Sequence, residues 1–287
     1  MTNIDKEINS NQYIEELIRV KSVKKILLGQ QDKLIISIKI GFMNLFYSKK
    51  WLIYLALAFI ILPVIVLIEI VIEGGDIKFE KPDEAFIFIT NLLFPVIFIF
   101  GCLLISLPLS ADEISDHSIE LYLTRPIKRE IYWVSRWIVV NVAVYCVNLI
   151  VYFVYFLFCF AFAKNGLFAD MGENFYVFGG VAILLLLATL IYSGSFLLVG
   201  MIGNRGLLLS FILAIFELFI ISMIFLSDSP YIPQNNLYEI ANDILPDHYD
   251  IDTPKDLKLR DAWIYVTIFP IVVFVGGAFY LRMREIK

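Results

Sequence analysis

Long apolar runs alternate with short polar intervals along most of this chain. Six runs, roughly 52–73, 85–109, 137–163, 177–200, 207–227 and 263–281, each reach the roughly 20 residues that a helix needs to cross a bilayer. A transmembrane barrel would show shorter segments of strict alternation, so the pattern predicts an all-α membrane protein with six transmembrane helices. Two further periodic stretches precede the first run. Residues 11–28 place Ile14, Leu17, Ile18, Val23, Ile26 and Leu27 near helical spacing, and residues 31–50 do the same with Leu34, Ile35, Ile38, Phe42, Leu45 and Phe46. Both interleave basic residues with the apolar stripe, Lys and Arg in the first and Lys in the second, and neither has a run long enough to span. A basic amphipathic helix just ahead of a first span lies flat on the inner membrane surface. The alternative is that the pair packs together as a small cytosolic cap. The chain therefore divides into an interfacial or cytosolic region, 1–50, and a transmembrane domain, 51–287.

Composition agrees with this class. The chain has 287 residues, of which 60% are hydrophobic and only 18% charged, and its mean hydropathy is +0.80. The first 50 residues lack an early apolar core followed by a cleavage site, so no secretory signal is expected. Cys102, Cys146 and Cys159 all fall inside predicted spans, where they serve as small core residues rather than as a disulfide or metal set. The distribution of charge sets orientation. Of the 23 Lys and Arg, seventeen lie in 1–50, 110–136, 200–206 and the C-terminal tail, against six in the alternate loops. The positive-inside rule then puts both termini and the 110–136 segment in the cytoplasm. The last outer loop, 228–262, carries eight acids against three bases, as an outer loop should.

The polar segment 110–136 separates two of the most hydrophobic runs. Nothing breaks a helix between Ala111 and Thr124, and Asp112, Glu113, Asp116 and Glu120 occupy its early turns, where the helix dipole favours negative charge. Pro126 disfavours helical geometry at Arg125 and ends the element. Lys128, Arg129 and Arg136 follow as basic anchors at the entry of the third span. The expectation is a short cytosolic helix, a proline turn and a basic return into the membrane.

The residues of this segment carry a resemblance. Glu113, Ser118, Ile119, Glu120, Leu121, Leu123, Thr124, Arg125, Pro126, Ile127 and Arg129, placed between the second and third of six spans, resemble the type 2 permeases of the ATP-binding-cassette (ABC) family. The amphipathic helix before the first span and the long outer loop before the sixth are similar to that family's layout as well. The lysine-rich first 30 residues depart from it. The resemblance implies that the cytosolic helix, through Glu113, Ile114, Asp116, Ser118, Glu120, Leu121, Arg125, Pro126 and Arg129, docks into a cleft on a separate ATPase subunit. It implies two such ATPases, which carry ATP and Mg, and a second permease subunit, identical or related. It also implies an exporter in a prokaryotic plasma or inner membrane. The chain has no G-x-x-x-x-G-K-[ST] loop for nucleotide phosphates, so ATP is expected on the partner and no cofactor on this chain. No catalytic constellation and no nucleic-acid site emerge, so the chain is read as a non-catalytic subunit.

Within the spans, Glu217 sits near the middle of the fifth, where an acid should face the bundle interior or a wet cavity. Asn148 and Asn91 are its candidate neutral partners, and the group either marks a substrate path or fixes helix packing. Small residues in 192–200 and 275–279, with Gly179 and Gly180, predict close helix approach, and Pro63, Pro95 and Pro108 predict kinks. In the outer loop, 236–245 has a helical stripe suited to the outer leaflet, while Asp247, His248, Asp250 and Asp252 lack the pattern of a calcium loop. A second reading remains: a self-contained proton-coupled carrier using Glu217, or a membrane scaffold. A carrier of that kind predicts internal repeats, and the unequal inner loops 110–136 and 200–206 supply none. The aliphatic and aromatic spans suit membrane lipid around them, and a lipid, drug or antibiotic as cargo.

Overall fold

The structure, a computed structural model, describes residues 30–60, 81–115, 128–163, 166, 168, 170–216, 232–245 and 257–283. Helices dominate them, and no multi-residue strand occurs among them. In chain order they are α1 (Gln30–Ser48), α2 (Lys50–Ile60), α3 (Pro82–Leu93), α4 (Ile99–Ser106), α5 (Ala111–Ser115), α6 (Arg129–Ala161), α7 (Phe175–Gly200), α8 (Asn204–Ile215), α9 (Pro233–Ile244) and α10 (Leu259–Met283). Three of these, α6, α7 and α10, are long and apolar enough to cross a membrane without interruption.

The second predicted span is helical but broken. A π-helical turn, Phe94–Phe98, joins α3 to α4, and a 3-10 turn, Leu107–Leu109, ends α4. Each contains a proline, Pro95 and Pro108, whose missing N–H removes a rung of the α ladder. The kinks expected there thus take the form of local changes in helix type. Pro63 lies outside the described residues, as do 11–28 and most of the first and fifth predicted spans beyond Ile60 and Phe216.

Helix α6 is the mast of the bundle. Its 33 residues extend about 50 Å at about 1.5 Å per residue, well beyond a hydrocarbon core of about 30 Å. It packs against α1, α3, α7 and α10. Tyr54 of α2 donates to Asn148 Oδ1, Tyr155 donates to the Ala58 carbonyl at 2.8 Å, and Ser193 of α7 donates to Asn141 Oδ1 at 2.9 Å. In an apolar surround such bonds fix which helix faces meet, because sliding would leave each polar group bare.

We term the end of the bundle that carries α1 the base, and the opposite end the crown. At the base, α5 and the start of α6 gather with the ends of α7 and α10. Gly200 lets Ser110 approach α7, and Arg129 donates to the Leu281 carbonyl at 3.2 Å. The turn into α8 needs Gly203, whose φ of 89° is open to glycine at little cost. At the crown, aromatic rings from α3, α6 and α7 interlock. Phe86 meets Phe156 edge-to-face at 5.2 Å, and Phe156 meets Phe175 at 5.9 Å.

Three expectations are corrected. Arg136 was expected as a basic anchor at the entry of the third span, yet it lies wholly inside the protein, on a helix continuous from Arg129. A guanidinium paired with a carboxylate, here Glu113, tolerates that burial. The outer-loop helix was expected on the outer leaflet. Instead α9 turns Leu237, Ile240 and Ala241 into the bundle against α7 and α10, because that apolar face finds protein there. Finally, Cys146 is exposed on the flank of α6, while Cys102 and Cys159 are buried, and none of the three is in a disulfide.

Candidate functional site

The polar centre of the base is built around Glu113, which the short α5 carries two residues into its first turn. The side chain points inward and is 3% exposed, against 0% for Arg136 beside it. Arg136 reaches the carboxylate with two nitrogens, Nη2 at 2.8 Å from Oε1 and Nε at 2.9 Å from Oε2. Asn44 Nδ2 donates to Oε1 at 2.8 Å, and the Tyr132 hydroxyl donates to Oε2 at 2.5 Å. The carboxylate therefore accepts three hydrogen bonds, one on Oε1 and two on Oε2, and Arg136 Nη2 adds a close ion-pair contact on Oε1. That is the condition under which a buried ion pair can offset its desolvation.

Each donor comes from a definite place. Tyr132, Ser135 and Arg136 occupy one side of the first two turns of α6 at the helical spacing of three and four. The guanidinium also lies 4.9 Å from the centre of the Tyr132 ring, a favourable cation–π distance. Its remaining arm, Nη1, donates to the Ser37 carbonyl of α1 at 3.1 Å. Ser135 donates to the Tyr132 carbonyl at 2.7 Å, which leaves its oxygen to accept from the Ser37 hydroxyl, also 2.7 Å away. Ser37, Gly41, Asn44 and Ser48 recur along one face of α1, and Gly41 is required there. A methyl group at that position would sit 2.7 Å from Arg136 Nη1.

The outcome is a three-way clamp between an amphipathic helix, the polar segment and the mast. At its rim Lys50 pairs with Asp112 at 2.5 Å, with both side chains about a third exposed. Such a partly wet pair adds little stability by itself. Ile114 is half-buried and packs toward Gly203, so the turn between α7 and α8 also abuts α5.

Of the sequence-derived coupling residues, Glu113 and Ile114 lie in the clamp. Arg129 sits at the base, bound to the carbonyls of Leu281 and Arg282 at 3.2 and 3.4 Å. Asp116, Ser118, Glu120, Leu121, Arg125 and Pro126 lie outside the described residues, as do Glu217, both histidines and the acidic set 247–252. Glu113 is thus occupied within its own chain rather than presented at a rim. Asn148 is buried and tied to Tyr54 and to the Val144 carbonyl, while Asn91 keeps an Oδ1 with no hydrogen-bond partner among the described residues. No cluster that would hold a metal ion occurs among the described residues.

Sequence reasoning did not single out Tyr132, Ser135, Ser37 or Asn44. A signal existed: Ser37, Gly41, Asn44 and Ser48 form a small-and-polar line along a helix whose other faces are largely apolar. Attention to the apolar stripe alone hid it. At the crown, Tyr238 of α9 accepts from Gln234 Nε2 at 2.6 Å, and burial pushes its phenol above the usual range, so it stays protonated. Comparison with models of protein families, with curated proteins and with solved structures yields no match in any of the three.

Proposed function

We propose that this chain is the membrane-spanning permease subunit of an ATP-driven exporter of the ABC type 2 kind. In this reading the chain crosses the membrane six times, with both termini and 110–136 in the cytoplasm of a prokaryotic cell. Two copies, or this chain and a related one, associate with two separate ATPase subunits that bind ATP and Mg. The observation that carries the proposal is the clamp on Glu113. A lever that receives force from a cytosolic motor must be fixed to the spans it moves, and α5 is fixed to α6 through Arg136 and Tyr132 and to α1 through Asn44. A push on the segment that follows α5 would reach the mast with little loss, because packed interiors and buried hydrogen-bond networks yield little.

Roles divide accordingly. Glu113 anchors the lever, and the acids further along, Asp116 and Glu120, are the proposed contacts with the ATPase, where charge sets partner choice and register. The experiment is co-purification. The native chain recovers a soluble ATPase from its own host, and the double variant Asp116→Lys with Glu120→Lys loses it while retaining its membrane yield. Undiminished ATPase recovery with that variant overturns the assignment of the lever. Substrate movement by the purified chain alone in liposomes, without ATP, would favour the carrier reading on Glu217 instead.

A further inference from the structure

Beside the clamp, at the junction of α1 and α2, a cleft of about 420 Å³ opens between the two helices and α5. That volume lies within the range of about 300–1,000 Å³ common to small-molecule sites. Asn44, Tyr47, Ser48 and Lys50 form one wall, Asp112 the other, and Glu113 the floor. We propose that this cleft binds the headgroup of a zwitterionic phospholipid with a primary ammonium, phosphatidylethanolamine in chemical class. The inference rests on the membrane-spanning reading of the bundle and not on any ATPase.

Charge selects the ligand. Glu113 is neutralised by Arg136, so among the described residues the cleft presents one cation, Lys50, and one anion, Asp112, with no net charge. An anionic headgroup would meet a carboxylate without compensation, and a purely cationic one would meet an ammonium. A phosphate–ammonium pair can instead lie antiparallel to the Lys50–Asp112 pair, phosphate against Lys50 and ammonium against Asp112. Four alternating charges then attract on every side. A primary ammonium also donates hydrogen bonds, and the Asp112 carboxylate and the Ser48 hydroxyl oxygen offer acceptors, which a quaternary ammonium cannot use.

Position supports the same ligand. The cleft lies where the amphipathic α1 gives way to the apolar α2, the level at which headgroups meet acyl chains. Tyr47, which lines the cleft, is 77% exposed, and Phe46, Leu52 and Ile53 nearby along α1 and α2 are exposed apolar side chains. These side chains continue along α2 as a path for acyl chains. A headgroup held between α1 and α5 would brace both walls of the clamp.

The test needs neither nucleotide nor cargo. The delipidated chain in detergent is mixed with phosphatidylethanolamine, phosphatidylcholine and phosphatidylglycerol bearing the same acyl chains, and retained lipid is counted by native mass spectrometry. The expected result is at least about fivefold more retained phosphatidylethanolamine than either other lipid. That preference falls to parity in the neutral double variant Lys50→Met with Asp112→Asn. Should that variant fail to fold, Lys50→Asp with Asp112→Lys keeps the ion pair while reversing its direction, and it too loses the preference. Equal retention of the three lipids, preference for the glycerol headgroup, or a preference unchanged in the variants overturns the site. None of these outcomes bears on whether an ATPase binds elsewhere, so the exporter proposal stands or falls separately.

Discussion

Arg136 has no exposed surface, and that decides what substitution there must do. Removing one member of a buried, hydrogen-bonded ion pair leaves the other charge without compensation, at a cost of about 3–5 kcal/mol, whereas replacing both can come close to neutral. Glu113→Gln alone and Arg136→Met alone should therefore each lower the melting temperature of the detergent-solubilised protein sharply. The double variant should recover much of the loss. Additive losses would mean that the two side chains do not act as a pair. The same logic explains why charge reversal at Glu113 is a poor probe of partner binding: it would damage the clamp before any partner was consulted. The sequence marked Glu113 as important through its place in a motif. Only the packing revealed that the residue faces inward, because its complement, Arg136, Tyr132 and Asn44, is brought to it by α6 and α1 from 19 to 69 positions away.

Elements pack through their small residues, and two glycine pairs make the point. Gly276 and Gly277 are neighbours on α10, yet a methyl group at Gly276 would meet nothing within 4 Å, while one at Gly277 would land in the Trp133 ring. That ring in turn donates to the Phe274 carbonyl at 2.8 Å, which locks α6 to α10. Gly277→Ala should cost about 1–3 kcal/mol, the usual range for overpacking, and Gly276→Ala should be near neutral or slightly stabilising. Melting of the two single variants side by side checks this, and equal effects would contradict the packing described. Gly179 and Gly180 repeat the asymmetry on α7: the first is open, and the second lies under Leu245, whose atoms would stand 2.8 Å from an added methyl group. Glycine doublets were legible in the sequence as sites of close approach. Which glycine of each doublet bears the contact was not, because the answer depends on the rotation of the helix against a distant neighbour.

Across the whole molecule, the flanks of α2, α8 and α10 expose long aliphatic and aromatic side chains, among them Ile60, Leu208, Ile212, Ile271, Val272 and Phe279. A patch of that extent has no place in water, and it marks the surface that meets lipid. The proposed orientation adds a testable asymmetry. Lys128 is exposed at the base and Asp243 is exposed on α9 at the crown. In a background carrying Cys146→Ser, Lys128→Cys should react with a membrane-impermeant thiol reagent only after the cells are opened. Asp243→Cys should react in intact cells. Labelling of both from one side would reverse or abolish the proposed topology.

Run length, spacing and charge asymmetry determined by themselves that the chain is helical and membrane-bound, where α7 and α10 begin and end to within a few residues, and that residues from about 31 form an amphipathic helix. These are local properties: a helix forms and buries an apolar face according to residues three and four apart. Tertiary structure alone decided what surrounds the first two turns of α6, which begin at Arg129. It also decided that Arg136 is a buried partner rather than an anchor at the headgroups, and that α9 lies on protein. The physical reason is the same in each case. A charge or an apolar face can be placed inside only when its complement, set by residues some 23 to 99 positions away, arrives at the same point in space.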